Sequence, residues 1–287
     1  MPRTAAPAIR LFLLLTLLLS SVFYALIVGN GHVAGARGMY VMGLMWCPGV
    51  AAMLTCHLRG DAIAQLGWRW GAWHWQVVSY LVPLTYVLVA YVIVWTTGLG
   101  SYGNPEFVGT LGEMLGWPHL PASWAVPATF LLLATAGMVR AVSSGLGEEI
   151  GWRGFLAPAL VQRMGFTRGA LLTGAIWGVW HLPILLFADY NAGTPWWFAM
   201  TCFFVEIMGS SVIMTWLRLR SGSLWTAAVM HGSHNLFIQA FFTPITAPRG
   251  TITPWAIDEF GFVLPLVMSV FAIYFWRRRH ELDVRAE

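Results

Sequence analysis

Long apolar runs recur along this chain, separated by short breaks of Gly, Pro, Arg or acidic residues, and eight of them have the length of a membrane-crossing helix. A helix needs roughly 20 apolar residues to span the hydrocarbon core. The runs lie near 10–29, 38–57, 76–97, 124–146, 169–189, 196–217, 223–243 and 257–276. They predict an all-α polytopic membrane protein of about eight transmembrane helices, a multi-pass integral protein of the cell membrane. No repeat, low-complexity tract or long linker divides the chain, so residues 1–287 read as a single integral membrane domain. The first run follows Arg3 and Arg10 as a signal peptide would, but it continues through Phe23, Tyr24 and Val28 without a clear A-x-A cleavage site. A retained first helix is the expectation.

Composition removes the soluble alternative. The chain is 58% hydrophobic and 10% charged, with a mean hydropathy of +0.67, whereas soluble domains are about one-quarter charged. All 16 basic residues are arginine. With eight spans and the N-terminus inside, the cytoplasmic segments hold Arg3, Arg10, Arg59, Arg69, Arg153, Arg163, Arg168, Arg218, Arg220, Arg277, Arg278, Arg279 and Arg285. The other side holds Arg37 and Arg249, and Arg140 falls inside the fourth span. Positive charge belongs to cytoplasmic loops, so both termini are expected in the cytoplasm. This placement accounts for the net charge of +4 without a nucleic-acid partner. Cys47, Cys56 and Cys202 lie in apolar runs without paired spacing and read as buried small hydrophobes. Trp68, Trp70, Trp73 and Trp75, interleaved with Arg69 and His74, have the composition of an anchor in the headgroup layer.

Ionisable residues at membrane depth are costly, so each is a functional candidate. They are Arg140, Glu148, Glu149, Arg153, His181, Glu206, His231 and His234. If the stretch after the fourth span is helical, Glu149 and Arg153 share a face and form an ion pair, with Glu148 turned about 100° away and left free. A solvated loop beside the membrane is the plainer reading of that cluster. His181 sits in the middle of the fifth span, where a lone histidine needs a partner. His231 and Asn235, four apart in the seventh span, share a helical face and could also be interhelical glue. Glu206 is expected to pair with Arg140 as a buried structural contact. His234 reads as support for the His231 face or as packing, and His32, His57, His74, His119 and His280 read as solvated.

In order along the chain come E-E-x-x-x-R, an aromatic residue four before a histidine, and H-x-x-x-N, here Glu148-Glu149 with Arg153, Trp177 with His181, and His231 with Asn235. This set resembles the CPBP family of intramembrane proteases, which includes the Rce1-type CAAX prenyl endopeptidases and the bacterial Abi proteins. The resemblance covers roughly 120–245, the expected catalytic core, with 1–119 as N-terminal helices and 246–287 as a last helix and basic cytoplasmic tail. The family usually has Phe where this chain has Trp177, a change that bears on substrate shape more than on catalysis. The resemblance implies that Glu148 and His181 activate a water for attack on a peptide carbonyl. His231 and Asn235 would face the oxyanion, and Glu149 and Arg153 would orient the site.

Elementary chemistry agrees with these roles, because a carboxylate shielded from bulk water is a usable general base. Side-chain donors in a dry cavity stabilise developing negative charge. Neither requires a cofactor. Zinc held by Glu148, His181 and His231 with one open position is the other possibility, and members of the family are often labelled metalloproteases. The favoured function is an endopeptidase cutting near the cytoplasmic leaflet, with membrane lipid as its surroundings and a peptide or membrane protein as substrate. The alternatives are a transporter whose buried Glu and His form an ion path, or a membrane scaffold without proteolysis. Inverted repeats would favour the transporter, and none is visible.

Overall fold

The computed structural model describes residues 5–190 and 193–282. Arg3 and Arg285 therefore lie outside the described residues. The chain is a bundle of membrane helices: α1 (Ala5–Asn30), α2 (Met39–Arg59), α3 (Trp73–Thr96), a short α4 (Pro105–Met114), a long α5 (Ala122–Met164), α6 (Phe166–Phe187), α7 (Trp196–Ser221), α8 (Leu224–Asn235) and α9 (Val263–Arg277). A two-residue ribbon, β1 (Ser101–Tyr102) against β2 (Thr246–Ala247), closes one end. Breaks fall where the sequence supplies stop signals. Gly60 and Gly222, with φ of 72° and 70°, end α2 and α7 in the left-handed conformation that glycine adopts without strain. Asn104 and Ser223 cap α4 and α8 by accepting the backbone N–H of Glu106 and Trp225.

Six helices among the described residues are long and apolar enough to cross a membrane: α1, α2, α3, α5, α6 and α7. The seventh and eighth expected spans are realised differently. α8 runs on through a π-helical turn, Leu236–Phe242, and is rich in polar residues. α9 has 15 residues, about 22 Å of helix at 1.5 Å per residue. Exposed apolar side chains such as Leu14, Leu18, Val22, Val89, Val92, Leu266 and Val270 face outward from α1, α3 and α9, as lipid-facing residues do.

The fourth span departs most from expectation. In place of a helix ending near 146 and a loop at 147–168, α5 continues to Met164, with π-helical turns at Leu133–Gly137 and Ile150–Leu156. Every residue of the second turn is buried. The polar and glycine-rich sequence there serves packing: a methyl group on Gly147 would sit 2.7 Å from the Trp46 Cα, and one on Gly151 2.5 Å from the Pro48 Cβ. The E-E-x-x-x-R stretch thus docks against the middle of α2.

Two ends of the bundle are distinct. At one, Arg218 donates from Nε to the Arg153 carbonyl at 3.1 Å and from Nη2 to the Leu66 carbonyl at 3.3 Å. The Trp225 indole donates to the Trp68 carbonyl, the Trp216 indole to the Arg278 carbonyl, and the Trp276 indole to Thr167. Trp70 and Trp73 are exposed here as an interfacial anchor would be, while Trp75 packs edge-on against Trp216. At the other end Val33 N–H and His32 bind the Asp189 carboxylate, and that backbone hydrogen bond holds its pKa below the usual carboxylate range. Asn104 N–H donates to the Ile245 carbonyl, and Arg249 to Ser101.

Candidate active site

Four of the motif residues reach one buried cavity of about 150 Å³, between α5, α6 and α8 with α2 and α7 completing the wall. That is room for several waters. Glu148 from α5, His181 from α6, and His231 and Asn235 from α8 all line it. Glycine makes the convergence possible. A methyl on Gly232 would lie 2.7 Å from the Val142 nitrogen, and one on Gly145 3.2 Å from the His231 Cβ, so α5 and α8 approach each other at these points.

Glu148, His181 and His231 are each held on one side by a neighbouring group. Glu148 Oε2 accepts the Trp177 indole N–H at 2.6 Å and the Trp152 indole N–H at 3.3 Å. His181 Nδ1 lies 3.0 Å from the Trp177 carbonyl, a geometry that assigns the proton to Nδ1 and leaves the Nε2 lone pair free. His231 Nδ1 lies 2.9 Å from Glu149 Oε1. Asn235 follows one helical turn later and is half-buried. Trp177, the residue that departs from the family's usual Phe, binds Glu148 through its N–H and takes the Arg153 guanidinium carbon 4.2 Å over its ring. Its polar handle therefore belongs to the site.

Glu149 and Arg153 do not line the cavity but stand behind it. Arg153 Nη1 is 2.9 Å from Glu149 Oε1, the same oxygen that faces His231, and all three residues are buried. The expected division holds: one glutamate is tied to arginine, the other is not.

The expected Glu206–Arg140 pair does not form. Arg140 is exposed on the wall of a groove of about 810 Å³ that joins the cavity through Val33, Val41, Met45, Asn235 and Gln239. Glu206 instead accepts Ser210 Oγ at 2.7 Å and sits 3.4 Å from His234 Nε2. The two residues lie on different helices and face different ways, which spacing in sequence cannot reveal. His234 also lies 3.5 Å from Glu259 Oε1 and receives Tyr86 at Nδ1, 2.7 Å away. Glu259 further accepts Tyr190 Oη at 2.9 Å and Gln239 Nε2 at 3.0 Å. This second polar cluster forms the opposite wall of the same cavity. Sequence reasoning missed Glu259, Gln239 and Tyr190. The available signal was Asp258-Glu259, two adjacent acids inside a run drawn as a span.

Among the described residues no three His, Cys, Asp or Glu side chains gather where they could hold a metal ion. Both histidines are anchored through Nδ1, as histidines that ligate a metal through Nε2 also are, so what argues against a three-ligand zinc site here is that the side chains do not gather closely enough to share one ion. His32, His57, His74, His119 and His280 are exposed, and the three cysteines are buried.

An all-α, multi-pass membrane bundle with a carboxylate, two histidines and an asparagine around one buried cavity defines the class. Residues 125–237, which contain every one of those groups, match the family described as type II CAAX prenyl endopeptidase Rce1-like, so the chain carries an Rce1-like region. A relative named CAAX prenyl protease 2, from Methanococcus maripaludis, is 30% identical over 118 residues, which is 39% of this chain and 39% of that protein. The match thus spans about two-fifths of the relative's length.

Proposed function

We propose that this protein is an intramembrane endopeptidase that hydrolyses a peptide bond with a water activated by Glu148 and His181. The observation that carries the reading is the shared cavity, with Glu148, His181, His231 and Asn235 on its wall and each histidine anchored through Nδ1. A water in that space donates one proton toward Glu148 and the other toward His181 Nε2. As its oxygen attacks the carbonyl carbon, Glu148 takes a proton and the carbonyl oxygen gains negative charge. Asn235 Nδ2–H and His231 Nε2–H are the donors for that oxyanion. A ring that donates at both nitrogens carries two protons, and the Glu149 carboxylate at 2.9 Å is the countercharge for that form. Collapse of the tetrahedral intermediate breaks the C–N bond. Glu148 returns its proton to the departing amine, leaving a new carboxylate and a new N-terminus.

The tryptophan and arginine shell serves this chemistry by positioning. The Trp177 and Trp152 indoles hold Oε2 of Glu148, which leaves Oε1 as the basic atom. Arg153 neutralises Glu149 and stacks on Trp177, so the two motif segments on α5 and α6 are locked together. No step runs through a metal. An ion path remains the reading from another class, and the second cluster around His234 is the feature that favours it. Against it, the Glu148 side of the cavity is backed by Trp152, which like Phe155, Leu66 and Trp216 is buried and does not line the cavity.

Purified protein in lipid vesicles, incubated with a peptide library and read by mass spectrometry, tests the proposal. Discrete cleavage products that vanish with Glu148→Gln are the expected result. Passage of protons or cations into the vesicles without any cleavage would replace the peptidase with the ion path.

A further inference from the structure

The catalytic groups occupy one wall of the cavity. The other is built from Glu206 on α7, His234 on α8, Gln239 in the π-helical turn beyond it, Glu259 ahead of α9 and Tyr190 after α6, none of which takes part in the proposed hydrolysis. Charge does not balance on this second wall. Glu206 and Glu259 both face His234 Nε2, at 3.4 and 3.5 Å, and Tyr86 engages Nδ1, so even a protonated ring brings one positive charge to two carboxylates. Asp258, whose Oδ1 accepts the Glu259 N–H, adds a third acidic group behind them. Among the described residues no arginine lines the cavity, and Arg153 behind the catalytic wall is paired with Glu149. A carboxylate without a countercharge in a dry interior is costly.

Hydrogen bonding is unbalanced in the same sense. Glu259 is filled, with Tyr190 on Oε2 and Gln239 on Oε1. Glu206 Oε1 takes the Ser210 hydroxyl, but its Oε2 accepts no hydrogen bond among the described residues and is not enclosed by packing. Because Glu206 is only 3% exposed and lines the cavity, that oxygen looks into it. Gln239 commits its amide nitrogen to Glu259, which leaves its carbonyl oxygen as a second acceptor. Between the two walls stand Tyr190 and Phe203, with ring centroids 6.5 and 5.2 Å from that of His181, and Tyr190 reaches Glu259 through its hydroxyl.

We propose that this wall is a subsite for a cationic group of the substrate, a lysine or arginine side chain one or two residues from the scissile bond, with Glu206 Oε2 as its main acceptor. The assignment deepens the peptidase reading and rests on it. One tyrosine ring separates His181 from Glu259, and an extended chain advances by roughly 3.5 Å per residue, which sets the spacing between subsite and scissile bond. The rings of Tyr190 and Phe203 suit the methylene stem of such a side chain, and aromatic faces favour a cation beside them. Its ammonium or guanidinium supplies the positive charge that the cluster lacks. An acidic side chain in the same place would meet two carboxylates.

Purified full-length protein in a neutral detergent, which removes any attraction of the peptide to anionic lipid, tests the subsite. The probes are an apolar host peptide carrying a single lysine at each position in turn, and the same peptides with that lysine acetylated, which keeps the stem and removes the charge. Wild-type protein should cut within two residues of the lysine, with kcat/KM about ten- to a hundredfold above that for the acetylated partner, the scale of a hydrogen bond to a charged group. Glu206→Gln should bring that ratio close to one. Equal cleavage of the paired peptides by wild type overturns the proposal, and so does a ratio that survives in Glu206→Gln. Where Glu206→Gln does not fold, Glu259→Gln takes its place with the same expectation, and an unchanged ratio there overturns the proposal. Binding of the paired peptides to Glu148→Gln, read by fluorescence anisotropy, separates this proposal from the peptidase reading. Tighter binding of the lysine peptide with no cleavage by wild type supports the subsite and removes the peptidase. Equal binding of the two overturns the subsite and leaves the peptidase to be judged by cleavage alone.

Discussion

Glu148 and Glu149 are neighbours in sequence but differ in what they hold, and exchanging each for glutamine separates the two roles. Glu149 Oε1 sits 2.9 Å from both Arg153 Nη1 and His231 Nδ1, and all three residues are buried. Glutamine at 149 leaves the Arg153 guanidinium in the protein interior without its ion-pair partner. Breaking a buried ion pair from one side costs about 3–5 kcal/mol. Glu148 has no ionic partner; its Oε2 accepts two indole N–H groups, and the amide oxygen of glutamine can accept them too. The loss there is the difference between a charged and a neutral acceptor, about 1 kcal/mol. Equilibrium unfolding in detergent should therefore find Glu149→Gln destabilised several times more than Glu148→Gln. Single-turnover cleavage should fail in Glu148→Gln even though that protein remains folded. Equal stability of the two variants would refute the assignment of Glu149 as the structural partner and Glu148 as the free base.

Other perturbations have defined outcomes. Asn235→Ala should lower kcat by about 10²–10³-fold with little change in KM, the scale of one lost oxyanion donor, and a normal kcat with a raised KM would move Asn235 to the substrate groove. Gly232→Ala places a methyl 2.7 Å from the Val142 nitrogen, so α5 and α8 must part; overpacking of this kind costs about 1–3 kcal/mol, read as earlier unfolding together with loss of cleavage. Chelators should leave cleavage intact and metal analysis of purified protein should find no stoichiometric zinc, whereas one zinc per chain lost with activity in His181→Ala would favour a three-ligand site.

Hydropathy was enough to draw the helices whose surroundings are lipid. The runs near 10–29 and 76–97 correspond to α1 (Ala5–Asn30) and α3 (Trp73–Thr96), which carry exposed apolar faces. Sequence was misleading where a helix is surrounded by protein. Gly147, Gly151, Glu149 and Arg153 look like a loop because helix-breaking and charged residues cluster there, but the glycines are contact points for α2 and the charges pair with one another. Tertiary packing overrides local propensity in that turn. The last span began too early for a related reason: Asp258 adopts a left-handed φ of 66°, and Glu259 turns inward to the cluster around His234. The motif residues were legible because their helical spacing fixes which side chains share a face. Which helix faces which, and hence the Glu206–His234 contact, depends on packing that no periodicity encodes.

The central claim is that a peptide bond is cut inside this bundle by water activated at Glu148, and the most direct measurement is turnover of Glu148→Gln on a peptide that the wild-type protein cleaves. The amide cannot accept the proton that the water must lose. The account predicts that Glu148→Gln binds the peptide and yields no product. Near wild-type turnover in that variant would contradict it.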